Sequence, residues 1–337
     1  MVTNTPSTVS QTAVVHLPEW LTLGIRYLGL ASGLLAIVFV INNFLIFGFD
    51  LPGPLGILTG ESNSQLGWGQ VAILLVAIVY PAWRLKNGGS LRTDAEILVS
   101  IADYVIRIAF WAVFLVGLAD AIISFLRVED LHKVLFGPDI ATLLGMSNQR
   151  GTYVHIPLML VAAYAASRDK SVSIVWLALL VVIAELFIVL ARFVFAYEQT
   201  FMGDLVRFWY AALFLFASAY TLKEDAHVRV DVFYAGFTRR TRSMLNVTGT
   251  VAFGLPLCWL ILLRGMWEKS SLINSPMFNF ETSMSGFGMY VKYLMAAFLI
   301  VFALSMLFQF TSTLFNALAD IDENVEDDPV QDAGVEG

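Results

Sequence analysis

The chain has 337 residues, of which 58% are hydrophobic and only 14% are charged. This composition excludes an ordinary soluble enzyme and indicates a membrane protein with several spans. The net charge of −7 arises at the carboxyl end, where the last 19 residues hold eight acids and no Lys or Arg. We predict an N-terminal tail over residues 1–20 and an acidic, disordered tail over 318–337.

Apolar runs long enough to cross a bilayer recur along the chain, which predicts an all-α, polytopic membrane helix bundle with about eight transmembrane helices. The predicted spans cover residues 21–48, 68–84, 97–126, 151–167, 172–196, 203–221, 245–266 and 289–317. The weakest is 151–167, which is short and contains His155 and Pro157, so a tilted or re-entrant segment is the alternative. Before the third span, Thr93 to Glu96 form a capping-box pattern that predicts a helix start there.

The loops between these spans alternate in their content of basic residues. Bases concentrate in loops 85–96, 168–171 and 222–244, the last of which holds five. Taken together, the intervening loops, 49–67, 127–150, 197–202 and 267–288, hold more acids than bases. Because basic loops stay in the cytoplasm, the alternation predicts that both termini are cytoplasmic.

The predicted spans form two groups of four. Residues 21–170 are an N-terminal membrane segment, and residues 171–317 are a second one with a charged hairpin in its middle. The turn between them, Ser167 to Ser171, is too short for a free linker, so we expect the two groups to pack together. In the first span, Gly29 and Gly33 form a small-xxx-small pair, which indicates close helix packing.

Charged residues inside the spans are the candidates for function, because a charge at membrane depth is costly and usually contacts protein or water. Glu185 and Arg192 lie two helical turns apart and share a face. Asp103 and Arg107 share another face, and Asp120 is a further candidate. These residues either link helices or form a proton or ion relay. A relay normally has convergent acids and broken helices, so the structural role is favoured.

The sequence lacks the motifs of common catalytic sites. It has no Gly-rich phosphate loop, no nucleophile elbow, no HExxH and no Cys/His metal spacing. We therefore predict that the protein is not an enzyme, and we expect no catalytic residues, no cofactor and no metal site.

Several short elements follow one another in a fixed order between residues 173 and 315. A helix ends in Arg192 and Phe193, and an outer segment with acids follows over 197–204. The remaining elements are His227, Arg229 and Asp231 in the charged hairpin, a basic turn over 238–242, Pro256 within the next helix, Trp267-Glu268, and Glu281-Thr282-Ser283. In order and spacing this series resembles the small permease subunit, or Q-type subunit, of TRAP (tripartite ATP-independent periplasmic) transporters.

The resemblance implies a scaffold subunit in the bacterial inner membrane. Its partner would be a large permease subunit that carries the substrate and sodium sites. A periplasmic solute-binding protein would deliver the solute, usually an organic acid. Given the resemblance, we expect a structural role for His227, Arg229 and Asp231 at the inner membrane surface. Together with Arg192 and Glu185, these residues are expected to be critical for folding or assembly and not for catalysis. Membrane lipids are further expected partners, and nucleic acid is not.

Two features depart from the family pattern. The usual small subunit has four spans, whereas this chain places about 170 residues in front of the matching part. The Gly-Leu-Pro that often follows the Glu-Ser element is replaced by residues 285–288.

A different class of function also stays open, namely a self-sufficient secondary transporter or ion pathway. Its route would be lined by Asp103, Arg107, Asp120 and Glu185.

Overall fold

The computed structural model describes residues 17–60, 65–171, 174–224, 234, 236–283 and 288–322, and the regular elements found there are helical. The helices are α1 (Glu19–Phe49), α2 (Gly53–Leu58), α3 (Gln65–Lys86), α4 (Leu91–Val128), α5 (His132–Phe136), α6 (Pro138–Leu144), α7 (Ser147–Arg150), α8 (Ile156–Arg168), α9 (Ile174–Phe195), α10 (Thr200–Lys223), α11 (Arg239–Gly249), α12 (Leu255–Met266), α13 (Asn274–Phe278) and α14 (Lys292–Asp322). Two π-helical segments, Gly151–His155 and Thr250–Gly254, join α7 to α8 and α11 to α12.

Seven helices are long and apolar enough to cross a membrane, counted over the described part of the chain. They are α1, α3, α4, α9, α10, the continuous helix Arg239–Met266, and α14. The predicted all-α, polytopic helix bundle is confirmed. The predicted span 151–167 is not among the seven. It belongs to a helix that runs through α7, a π-helical segment and α8, and its apolar stretch is interrupted by His155 and Pro157.

Several helices extend beyond the apolar runs from which they were predicted. Helix α4 begins at Leu91, where Ser90 is the N-cap and its Oγ accepts a hydrogen bond from Thr93 N at 3.1 Å. The predicted start at Thr93 to Glu96 is therefore wrong, and the Asp94 side chain binds two arginines instead. At the other end of the chain, α14 continues to Asp322, so residues 318–322 are helical and the predicted disordered tail does not begin at 318.

Helix α14 lies at the centre of the bundle. Along its 31 residues it packs against α1, α4, α10, α11, α12 and α13. Its large side chains Phe308, Leu314 and Phe315 are fully buried. Because α1 and α4 precede residue 170 and α14 follows it, the two predicted groups of spans share one hydrophobic core.

Two glycines allow α1 to approach α14 closely, as the small-xxx-small pair predicts. A Cβ atom at Gly29 would lie 2.7 Å from Phe315 Cε1 and 2.9 Å from Thr311 Cγ2. A Cβ atom at Gly33 would lie 2.9 Å from Phe308 Cε1. The contact between these helices therefore depends on the absence of side chains at both positions.

We expect Gly29→Leu to lower the free energy of unfolding by about 1–3 kcal/mol, because the added side chain overpacks the contact with α14. Thermal unfolding in a fixed detergent would measure the effect. Gly24→Leu is the matched control, since it lies in the same helix and its added Cβ would meet nothing within 4 Å. Equal stability of the two variants would contradict the prediction.

Candidate functional site

A buried cluster of polar side chains lies where α4, the segment around α7 and the start of α14 meet. We call it the Asp120 network, and its members are Asp120, Arg150, His155, Tyr290 and Tyr293. Arg150 Nη1 donates to Asp120 Oδ1 at 2.9 Å, and both side chains are 0% exposed. Tyr290 N donates to Asp120 Oδ2 at 2.7 Å. Both oxygens of this buried carboxylate are therefore engaged by donors from different parts of the chain.

His155 extends the network to α14. Its Nε2 lies 3.1 Å from Asp120 Oδ1, and its Nδ1 lies 2.8 Å from Tyr293 Oη. A neutral imidazole protonated at Nε2 satisfies both contacts, since it donates to the carboxylate and accepts from the hydroxyl. Arg150 in turn donates from Nε to Leu144 O at 2.8 Å and lies over the Tyr290 ring, with Cζ 4.1 Å from the ring centre.

The Asp120 network joins the N-terminal spans to the last span. A buried charge is costly unless it is paired and hydrogen-bonded, and Asp120 meets both conditions. The sequence identified Asp120 as a candidate but missed Arg150, and it noted His155 only as a reason to doubt a span. The network fits the structural role that was favoured for the buried charges.

A second buried carboxylate, Asp94, joins α1, α3 and α4. Arg26 Nε donates to Asp94 Oδ2 at 2.7 Å, and Arg84 Nε donates to Asp94 Oδ1 at 3.1 Å. Asp94 is 1% exposed, and Arg26 is also buried. The sequence analysis treated Asp94 only as part of a capping box. The signal that it overlooked is the position of all three charges at the same predicted side of neighbouring spans.

Asp103 and Arg107, which were predicted to share a face of α4, each contact a different side chain. Asp103 Oδ2 accepts from Lys223 Nζ at 2.9 Å, which links α4 to α10. Arg107 lies beside Tyr104, with its Cζ 5.8 Å from the ring centre. The described structure contains no ion pair between Asp103 and Arg107.

Glu185 and Arg192 both lie on exposed parts of α9. Arg192 Nε is 3.3 Å from Glu198 Oε2, beyond the end of the helix. Glu185 has no hydrogen bond or ion pair with any of the residues that the structure describes. The structure thus leaves these two candidates apart from both buried clusters. The remaining candidates, His227, Arg229 and Asp231, lie outside the described residues.

Asp204, near the start of α10, is a further buried acid that the sequence analysis did not single out. Its Oδ2 accepts from Ser283 Oγ at 3.2 Å and from Met289 N at 3.1 Å. These bonds fix the start of α10 to the segments that flank residues 284–287, on the way into α14. The signal for Asp204 was available, because it belongs to the acid-bearing outer segment 197–204.

Groups in the loops between helices also form specific contacts. Burial, together with the hydrogen bond that its hydroxyl donates to Glu129 Oε1 at 2.7 Å, raises the pKa of Tyr197 to about 12. The Lys133 ammonium holds the pKa of Asp130 below its usual value. Across the described residues, no group of three or more His, Cys, Asp or Glu is placed to hold a metal ion.

The four residues of the alternative transport route do not converge. Asp103 and Asp120 are about 26 Å apart along α4, at 1.5 Å per residue. Asp120 is enclosed by its partners, and Glu185 lies exposed on a helix that packs against α10. The buried carboxylates of α4 instead link helices to one another, because each of them binds an arginine from another element.

Comparison with known proteins finds a family match for the carboxyl-terminal part of the chain. Residues 178–320 match the family model described as "Tripartite ATP-independent periplasmic transporters, DctQ component". No curated protein and no solved structure matches the chain. The matched segment runs from α9 into α14 and contains Glu185, Arg192 and Asp204. The resemblance drawn from the sequence is therefore confirmed over this segment: residues 178–320 of this multi-pass membrane protein match the DctQ component, the small permease of TRAP transporters.

Proposed function

We propose that the chain supports a large permease subunit in the bacterial inner membrane during sodium-driven import of an organic acid. A periplasmic solute-binding protein would deliver the solute. The family match over residues 178–320 carries this proposal. The buried ion pairs of α4 support it, because they stiffen the bundle and leave those carboxylates engaged within the chain.

We propose the same division of the chain as the sequence suggested, with residues 21–170 as an N-terminal extension of the small-subunit domain over 171–317. In this arrangement the extension enlarges the membrane body that the large subunit contacts. Helix α4 supports the proposal, since it packs along α8, α10 and α14. The hairpin residues His227, Arg229 and Asp231 would serve assembly at the cytoplasmic surface.

Uptake into liposomes tests the proposed function. We expect a panel of labelled organic acids to enter under an inward sodium gradient only when this chain, its large permease and its binding protein are all present. The chain by itself should give no uptake above empty liposomes. Replacing both Arg229 and Asp231 by Ala should reduce uptake and recovery of the assembled pair.

Three results would each count against a part of the proposal. Uptake by this chain alone would favour the self-sufficient transporter and make Glu185 and Asp103 the residues to replace next. Full uptake by the large permease and the binding protein without this chain would remove the need for a supporting subunit. Unchanged assembly after the double replacement would reject the assembly role of the hairpin.

A further inference from the structure

Glu185 occupies the middle of a transmembrane helix. Helix α9 has 22 residues, and eleven precede Glu185 while ten follow it. At 1.5 Å per residue, the carboxylate-bearing position lies about 16 Å from either end of the helix. A hydrocarbon core of about 30 Å therefore places Glu185 near its centre.

The side of α9 that carries Glu185 is not covered by the rest of the described chain. The helix packs on α10, and its buried residues are Leu177, Ala184 and Ala191, spaced by seven. We define the Glu185 face as Val182, Glu185, Leu186 and Val189, which share a face by their spacing of three and four. The three apolar members are 61%, 55% and 47% exposed.

Glu185 differs from three carboxylates of α4, each of which forms an ion pair. Asp94 and Asp120 each bind arginine, and Asp103 binds Lys223. Glu185 has no such partner among the described residues, and Arg192 on the same helix pairs with Glu198. A charged side chain at the bilayer centre costs about 2.5–3.5 kcal/mol or more when it faces lipid. A cationic or hydrogen-bond-donating group from outside the described bundle would offset that cost.

Three kinds of molecule could contact the Glu185 carboxylate: a lipid, a second copy of this chain, or a different membrane protein. Lipid headgroups lie at the membrane surface, far from the middle of α9. A second copy of this chain, docked symmetrically through the same face, would bring two Glu185 carboxylates together. A transmembrane helix of a different protein can present a lysine, an arginine or a neutral hydrogen-bond donor at this depth.

We propose that the Glu185 face docks a transmembrane helix of the large permease subunit, which places a cationic or hydrogen-bond-donating side chain against Glu185. The inference rests on the proposed function, since it names the surface through which that partner binds. The apolar residues Val182, Leu186 and Val189 supply the packing surface, and Glu185 sets the register of the two helices.

Co-purification with a tagged large permease tests the Glu185 face. We expect Glu185→Leu to reduce the recovery of the pair about three- to thirtyfold, the range for loss of one interhelical hydrogen bond in a membrane. In the chain purified alone, the same substitution should leave thermal stability unchanged or raise it, because an unpaired charge is removed. A loss of recovery without a loss of thermal stability would separate docking from folding.

Glu96→Leu is the matched control. Glu96 is also an exposed acid on a long helix, but it lies before the apolar run of α4. The Glu96→Leu substitution should leave recovery of the pair unchanged.

A photoreactive amino acid at Val182 provides a second measurement that does not depend on the stability of a Glu185 variant. It should form an adduct with the large permease.

The outcomes distinguish failure of this inference from failure of the proposed function. If the unmodified chain does not co-purify with the large permease, both are overturned. If the unmodified pair forms, and Glu185→Leu forms it equally well, only the docking surface is overturned. Adducts at Val182 confined to lipid or to a second copy of this chain would also overturn the docking surface.

Discussion

We expect Asp120→Asn to lower the free energy of unfolding by about 3–5 kcal/mol, the usual cost of breaking a buried ion pair from one side. The substitution keeps the shape of the side chain but removes its charge. Arg150, which is 0% exposed, would then hold a buried positive charge with no counter-charge in the Asp120 network. Unfolding in mixed micelles, followed by tryptophan fluorescence, would measure the change.

Asp103→Asn is the matched control on the same helix. Its ion pair with Lys223 has the same N–O distance, 2.9 Å, but the two side chains are 32% and 35% exposed. Solvent weakens an exposed pair, so we expect a loss of less than about 1 kcal/mol. Similar losses at both positions would show that burial does not set the strength of these pairs. Combining Asp120→Leu with Arg150→Met should recover part of the loss, because no uncompensated charge remains.

The second large effect is expected at the opposite end of α4. Asp94→Asn should lower the free energy of unfolding by about 3–5 kcal/mol, because it leaves the buried Arg26 and the partly buried Arg84 without their shared carboxylate. The helices that meet there are α1, α3 and α4, so loss of their contact should open the loop between Lys86 and Leu91 to protease. The rate of cleavage in that loop would report the local effect.

Glu96→Gln controls for the loss of one acid from the first turns of α4. It lies two residues from Asp94 but is exposed, and its side chain contacts no partner among the residues described. We expect stability and cleavage to match those of the unmodified chain. If Asp94→Asn behaved like Glu96→Gln, the buried pairs with Arg26 and Arg84 would contribute nothing to the packing of α1 and α3.

The sequence predicted the apolar helices well because their cores are continuous apolar runs. Predicted limits such as 21–48 and 203–221 fall inside α1 and α10, whose ends extend by a few residues. The ends were missed because a helix continues into polar sequence wherever caps and ion pairs support it. At the start of α4, Ser90 caps the helix and Asp94 binds two arginines, which hydropathy does not reveal.

The site was predictable one residue at a time but not as a set of contacts. Charge within an apolar run was enough to single out Asp120 and Glu185. Arg150 lies outside the predicted spans, and its contact with Asp120 joins residues 30 positions apart. A charge within an apolar run does not indicate whether the side chain is buried, since Asp120 is fully enclosed and Glu185 is exposed. Only the packing of the helices distinguishes an internal link from a surface for a partner.

The length of α4 also bears on how such a chain can be exchanged between relatives. Helix α4 has 38 residues, about 57 Å at 1.5 Å per residue, and packs along α8, α10 and α14. A chimaera cut near residue 170 would therefore divide one hydrophobic core between two parents, although the cut falls at a short turn in the sequence. Because α4 and α14 pack against each other, a substitution on one helix requires a matching one on the other. Recombination at that turn would therefore separate residues that have to change together.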